Sequence, residues 1–365
     1  MTAVSGRVSS AAPMIEVDDE AAALEWLHAE SRTDGLPVVI PTRERVDRMV
    51  LASGLDGELS LGAMGPGNGS TTVEAIAANA VMAGCLPDYM PVVLAGIRAI
   101  MQPAFDLSEM QSTTHSTAPL MIVGGPLAPV LGISGGFGAL GPGHRANASI
   151  GRAVRLAMMN IGGARPGESD MALLGHPGKF TFCLREETES SPWEPLHSTF
   201  GDGPGESSVI VVGAEAPHSC IFVDDADSSD SPQRLLTTLA ATVANMGSNN
   251  AHFRRGAVAI AVNPEHAGTL AAAGINRREA QIAISELATN PRSRLRTLNP
   301  SFAGRGDDAD EVSAVPNPDD VIIFVAGGAG LYSSVFPSWA AGDHANPVVH
   351  EPIIADFSCE IPLSD

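Results

Sequence analysis

The sequence predicts an α/β protein with a helix-rich N-terminal part and a parallel-sheet, Rossmann-like C-terminal part. Three observations carry that prediction. Segments with helix start and stop signals crowd the first hundred residues; short continuous β-branched runs recur after Glu206; helical segments lie between those runs. At 365 residues with 44% hydrophobic content the chain has material for one or two packed cores. The expected division is residues 1–200, a helix-rich α/β domain carrying the site cluster, and residues 201–365, a parallel α/β domain with acidic loops and an irregular tail.

Taken in order, "DDEAAALEWLHAE" reads as a first helix, and "TRERVDRMVLASG" as a second with Thr42 as N-cap and Gly54 as stop. "LGAMGPGNGS" reads as a flexible loop from its Gly and Pro content. "TTVEAIAANAVMAG" offers a capping box from Thr71 to Glu74, and "PVVLAGIRAIM" starts with a proline suited to the first helical turn. The run "APLMIVGG" is a buried strand, followed by the glycine-rich "GALGPGHRANASIGRAVRLAMMNIGG", whose helix runs to about Ile161. Later, "SSVIVVG", "GAVAIAV" and "DVIIFVAGG" have the character of strands covered on both faces, with helices such as "SPQRLLTTLAATVANMG" and "NRREAQIAISELA" between them. Segments 223–231 and 304–319 are acidic, breaker-rich loops, and the tail after Pro337 has no strong period.

Charge narrows the partners. A formal net charge of −21, from 42 acidic and 21 basic residues, lacks the basic footprint that nucleic acids and anionic membranes require. No apolar run approaches the roughly 20 residues that cross a bilayer, and the N-terminus lacks the order of a signal peptide, so the expectation is a cytoplasmic protein. Cys85, Cys183, Cys220 and Cys359 are widely spread and read as free thiols.

Chemistry concentrates in the centre. A helix start beginning near Arg145 presents unpaired backbone N–H groups and partial positive charge, so Arg145, Asn147, Ser149 and Arg152 form a candidate pocket for a small anionic molecule. Seven residues separate the two arginines, which favours Arg145 at the mouth and Arg152 as a salt-bridge partner. Close by in sequence, "STTHSTAP" supplies His115 and "GHPGKFTFCLREETESSPWEPLH" supplies His176, Lys179, Cys183, Glu187 and His197. Read as a strand, "KFTFCL" puts Cys183 on the face opposite Phe182, where it need not be a core residue and could act as a thiolate, with Glu187 or His197 setting its ionisation. A buried, inert thiol is the structural alternative. His115 or His176 would shuttle the proton.

His115, His144, His176, His197 and Cys183 also offer donors for a divalent metal (Zn, Fe or Mn), although none has a short motif spacing, and no cofactor is assigned. "VAGGAG" gives Gly327 and Gly328 an anion-binding option, without the spacing of a dinucleotide fingerprint. "NPEHAG" is explained as a helix start capped by Asn263. The pair His218 and Cys220 is a weak second nucleophile–base candidate.

The ordered phrases "RTDGLPVVIPT", "ANAVMAGCLPDYMPVV", "STTHSTAPLMIVGGP", "GALGPGHRANASIGRA", "NIGGARPGESDMALLGHPGKFTFC" and "SPWEPLH" make most of the chain resemble a poorly characterised bacterial family associated with UGSC-type thiol or selenol proteins. The chain has no UGSC segment of its own. The resemblance implies a link to thiol or selenol redox chemistry and names no substrate. The leading expectation is an enzyme acting on a small carboxylate-bearing or sulfur-containing molecule by Cys/His acid–base or nucleophilic chemistry. The alternatives are a metal-dependent hydrolase or hydratase, and a non-catalytic partner subunit of a separate thiol/selenol redox protein. Ala- and Gly-rich helices suit a homodimer.

Overall fold

The computed structural model describes residues 14–225, 228–301 and 309–354; Cys359 and parts of both acidic loops lie outside the described residues. The chain is mixed α/β, 40% helix and 17% strand.

Helices α1 (Glu20–Ala29) and α2 (Arg43–Ser53) start where expected, α2 capped by Thr42 and stopped by Gly54 in the left-handed region. The segment expected as a loop is instead a hairpin of β1 (Ser60–Met64) and β2 (Gly69–Thr72), whose turn uses Asn68 at φ 58°. A glycine-rich turn between two short ladders carries too little apolar pattern to announce strands. Helix α3 (Val73–Ala83) is capped by Thr72, one residue later than predicted, and Glu74 turns to Arg43 instead of closing a capping box. After α4 (Met90–Met101) and α5 (Leu107–Ser112) come β3 (Ala118–Gly124), the short α6 (Leu127–Val130), α7 (Arg145–Asn160), β4 (Cys183–Arg185), β5 (Ser208–Ala214) and β6 (His218–Ile221). The chain continues through α8 (Ser231–Val243), α9 (Asn249–Phe253), β7 (Val258–Val262), α10 (Pro264–Ala272), α11 (Arg277–Leu287), β8 (Thr289–Pro291) and α12 (Arg292–Leu298). It closes with β9 (Glu311–Ser313), β10 (Val321–Val325), β11 (Tyr332–Phe336) and β12 (Val349–Pro352).

Two four-stranded mixed sheets organise the molecule, ordered β12-β5-β3-β4 and β10-β7-β11-β6. Among the described strands of these two sheets, β3/β4 and β10/β7 are the parallel pairs. The expected parallel sheet in the C-terminal half is therefore not formed: the few residues between β10 and β11 cannot hold the crossover of a dozen or more that parallel return needs, so β11 runs antiparallel to β7. Each sheet also takes an edge strand from across the chain. β6 leaves β5 to pair with β11, and β12, in the tail without a period, returns to pair with β5. Strands on both sides of residue 200 thus share the first sheet.

Strand alternation then builds four layers. Met121, Val123, Val209 and Val211 face the helical layer of α3, α4 and α7, while Leu120, Ile122, Ile210 and Val212 face the second sheet. There they meet Ala259, Ala261, Ile322 and Phe324, the alanines of β7 lying among larger side chains of its neighbours. Val258, Ile260, Val262 and Ile323 face α8, α10 and α11 on the far side. With both faces covered, the strands β3, β5, β7 and β10 are buried throughout and carry no polar face, which is why they read as continuous apolar runs. Burying each such Val, Ile or Leu contributes about 1.5–3 kcal/mol.

Candidate functional site

Register brings the first site together. Ala118, which opens β3, lies opposite Ala214, which ends β5, so the loop before β3 meets the residue after β5. His115 and Glu215 become neighbours, with His115 Nε2 2.9 Å from Glu215 Oε1. Across the junction of the two sheets, Asn249 of α9 places its amide nitrogen 3.2 Å from His115 Nδ1 and 3.0 Å from the Trp339 carbonyl. That carbonyl fixes the Asn249 nitrogen as a donor, so His115 Nδ1 presents its lone pair and Nε2–H donates to Glu215. The imidazole is held by a carboxylate on one side and an amide on the other. At 23% and 28% side-chain exposure, ring and carboxylate remain reachable by a solute.

His176 stands beside this pair. Its Nδ1 accepts from the Gly178 N–H at 3.1 Å, which puts the ring proton on Nε2. Nε2 is buried and faces the Ala214 carbonyl without a well-aligned hydrogen bond. Burial first, and then the charge of Lys179, push His176 down to about 4, so the ring is neutral at pH 7. Lys179 and Arg155 share Asp170, at 2.9 and 2.8 Å; burial opposes the Asp170 charge, but the two cations outweigh it and hold the carboxyl below its usual range. The segment ahead of His176 is tied to the His115 loop by Leu173 N–H to the Thr114 carbonyl and Gly175 N–H to Ser116 Oγ. It leaves Leu173 and Leu174 85% and 93% exposed.

His197 and Glu187 are not part of this arrangement. Both follow the opposite end of the parallel pair, and the seven residues of β3 separate the two edges by roughly 20 Å. His197 packs on Gly124, where a Cβ would come within 2.7 Å of its own. Glu187 donates its N–H to the Val325 carbonyl at the exit of β10, and Arg185 reaches both Glu187 and Glu189, at 3.3 and 2.7 Å. Burial raises the Glu187 carboxyl, while its hydrogen bond to Glu189 holds that partner down to about 2. Gly327 joins this edge through its N–H to the Gly135 carbonyl, and Gly328 lies under the Phe137 ring.

Cys183 requires a correction. Alternation does place it opposite Phe182, but α7 covers that face too, leaving the residue 2% exposed. Burial, with a lesser contribution from Cys85, pushes its thiol up to about 12; neither Glu187 nor His197 sets its ionisation. Cys85 is likewise buried and pushed to about 12, and Cys220 faces the second helical layer while His218 is exposed.

The helix-start pocket is occupied by structural bonds. Asn147 accepts from Ser134 N–H and donates to the Ser134 and Ala139 carbonyls, clamping the glycine-rich loop. Ser149 donates to the Arg145 carbonyl, Arg145 donates twice to the Gly84 carbonyl, and Arg152 forms a two-bond ion pair with Asp34 at 2.7 and 2.8 Å. Arg152 is thus the salt-bridge partner that helical spacing suggested. His144 bonds the Phe137 carbonyl on the same edge. Among the described residues no three His, Cys, Asp or Glu side chains are arranged to hold a metal ion. No single described helix is long and apolar enough to cross a membrane.

Sequence reasoning passed over Glu215 and Asn249. Each sits at an element end, Glu215 directly after a strand and Asn249 directly after the N-cap Ser248, but their approach to His115 depends on strand register and sheet stacking. No protein-family model matches the chain, and no curated protein matches it.

Proposed function

We propose that the chain is an enzyme that transfers protons on a small carboxylate-bearing or sulfur-containing molecule at the His115–Glu215 pair. The observation that carries this reading is the 2.9 Å contact between a partly accessible imidazole and a partly accessible carboxylate at the junction of two sheets. In this reading the Glu215 carboxylate orients the ring and stabilises positive charge developing on it during proton transfer. His176, held neutral, supplies polarity without a competing charge. Nucleophilic attack by Cys183 is not part of the reading, because a thiol pushed to about 12 is not ionised at neutral pH.

The test is depletion of a panel of small carboxylates and thiols, followed by mass spectrometry, with the wild type, His115→Gln and Glu215→Gln. The reading requires depletion by the wild type, lost in both variants while their folded spectra persist. Absence of depletion by the wild type, or equal depletion by all three, removes it.

A second reading, a partner-binding subunit of a thiol or selenol redox protein, draws on Leu173 and Leu174, whose exposure beside the pair suits an interface. Leu173→Lys/Leu174→Lys would then abolish a complex while leaving the His115 contacts intact.

A further inference from the structure

At the carboxyl end of β3, away from the His115 site, the chain turns through Gly124, Gly125 and Pro126. Gly125 adopts φ 91°, and a Cβ there would come within 2.2 Å of the Glu206 carbonyl, so backbone closely approaches backbone. Beside this turn lies a cleft of about 640 Å³. Its body is apolar, formed by Leu127, Val130, Ile353 and Ile354 with two prolines, and its charged lining is Asp202 and Glu206; the described lining includes no Lys or Arg. The rim exposes Val130, 79% accessible.

Asp202 is built in. Its Oδ2 lies 2.7 Å from His350 Nε2 on β12, whose ring stacks on Phe200 with centroids 5.1 Å apart. The buried Ser208 hydroxyl stands beside the carboxylate. Behind it His197 is nine-tenths buried, and its Nδ1 has no hydrogen-bond partner among the described residues. Burial alone would raise Asp202, but Ser208 and His350 outweigh it and keep the carboxyl below its usual range; burial also lowers His197. The wall of the cleft is thus a fixed carboxylate set in apolar surface, with a second carboxylate at Glu206 whose Oε2 accepts from Gly203 N–H.

We propose that this cleft binds an organic ammonium: an amine with an apolar body, its charged nitrogen meeting Asp202 and Glu206 and its carbon skeleton packed against Leu127, Val130 and Ile353. A pocket of this size with an apolar body and a few convergent polar groups is the usual form of a small-molecule site. Two carboxylates in a described lining that holds no Lys or Arg, with His350 contacting one Asp202 oxygen from behind, favour a cation over an anion, which would lose its hydration and meet like charge. The Asp202–His350 contact holds the carboxylate in place before the ligand arrives, so little ordering remains to be done on binding.

Saturation-transfer NMR and calorimetric titration with cyclohexylammonium test the proposal, with cyclohexanol and cyclohexanecarboxylate as controls of matched shape. The ammonium is expected to bind at least about tenfold more tightly than the alcohol, and the carboxylate to show no binding. Asp202→Asn should weaken the ammonium at least about tenfold. Because that variant removes a buried contact, Val130→Lys serves as the second: it sits on the exposed rim, preserves the unfolding temperature and places a like charge at the mouth. Equal affinity for the three probes, preference for the carboxylate, absence of ammonium binding, or unchanged binding in a folded Val130→Lys protein overturns the assignment.

Discussion

His115 and Glu215 are joined by a 2.9 Å contact that exists because Ala118 and Ala214 face each other at one end of an antiparallel strand pair. Neither residue lies in a regular element that could be slipped without losing the fold. The first prediction concerns this contact. Glu215→Gln keeps the shape of the side chain and removes its charge, so turnover at the proposed site should fall at least about tenfold. Stability should change by less than about 1 kcal/mol, since partly exposed pairs contribute little. Depletion rates and urea unfolding, measured on the same preparation, separate the two effects. Comparable losses in both would reduce the pair to a structural contact.

A second prediction follows from His176. Its folded value is pushed down to about 4 by burial and by Lys179, whereas an imidazole in the unfolded chain titrates near 6.5. A depressed folded value stabilises the protein above the unfolded value, and that contribution is lost as pH falls from about 6.5 through 4. Ring nitrogen NMR should therefore show His176 neutral, with its proton on Nε2, at pH 5.5. A ring titrating near 6.5 would contradict the burial described for Nε2.

The third prediction is chemical. Alkylation with iodoacetamide at pH 7.5, mapped by peptide mass, should leave Cys85 and Cys183 unmodified in the native protein and modify both in denaturant, since each thiol is buried and pushed to about 12. Cys183→Ala should keep activity and cost about 1 kcal/mol, the scale of losing one small buried group. Native labelling of Cys183 at the rate of a free thiol would restore it as a nucleophile.

Cys183 also shows how far the sequence can be read. Period 2 correctly separates it from Phe182 and Leu184, but alternation reports only which side of a strand a residue takes, and whether that side is covered depends on α7, whose docking no local pattern encodes. The caps at Thr42 and Asn263 were legible because their bonds are local: each accepts from the residue three positions on. The long apolar strands were legible because both faces are covered. Their directions were not, because direction follows from loop length and from the exchange of β6 and β12 between sheets. For the same reason His115 and His176 could be named as candidates, while Glu215, Asn249, Asp202 and His350, which reach their partners across sheet edges, could not be.

The last prediction tests the contact that ties the two halves of the sandwich. Glu186, directly after β4, and Arg277, the first residue of α11, meet at 2.7 Å with both side chains buried, and Glu186 also accepts from Leu196 N–H. Arg277→Leu would leave a buried carboxylate facing an apolar side chain, a loss of roughly 3–5 kcal/mol at pH 8. Burial already holds Glu186 above the usual carboxylate range, against the lowering effect of Arg277, so removing the arginine moves it further up. A carboxyl whose folded value exceeds its unfolded value favours the folded state most below the unfolded value, and that advantage disappears as pH rises through the folded one. The Arg277→Leu penalty should therefore shrink at pH 5, where the buried carboxyl can take up a proton, and Glu186→Gln/Arg277→Leu should recover part of the loss at pH 8. Urea unfolding of the wild type and both variants at the two pH values decides the matter. A penalty under about 1 kcal/mol at pH 8, or one that does not diminish at pH 5, would mean that water reaches Glu186 and that the pair is not the buried tie its geometry describes.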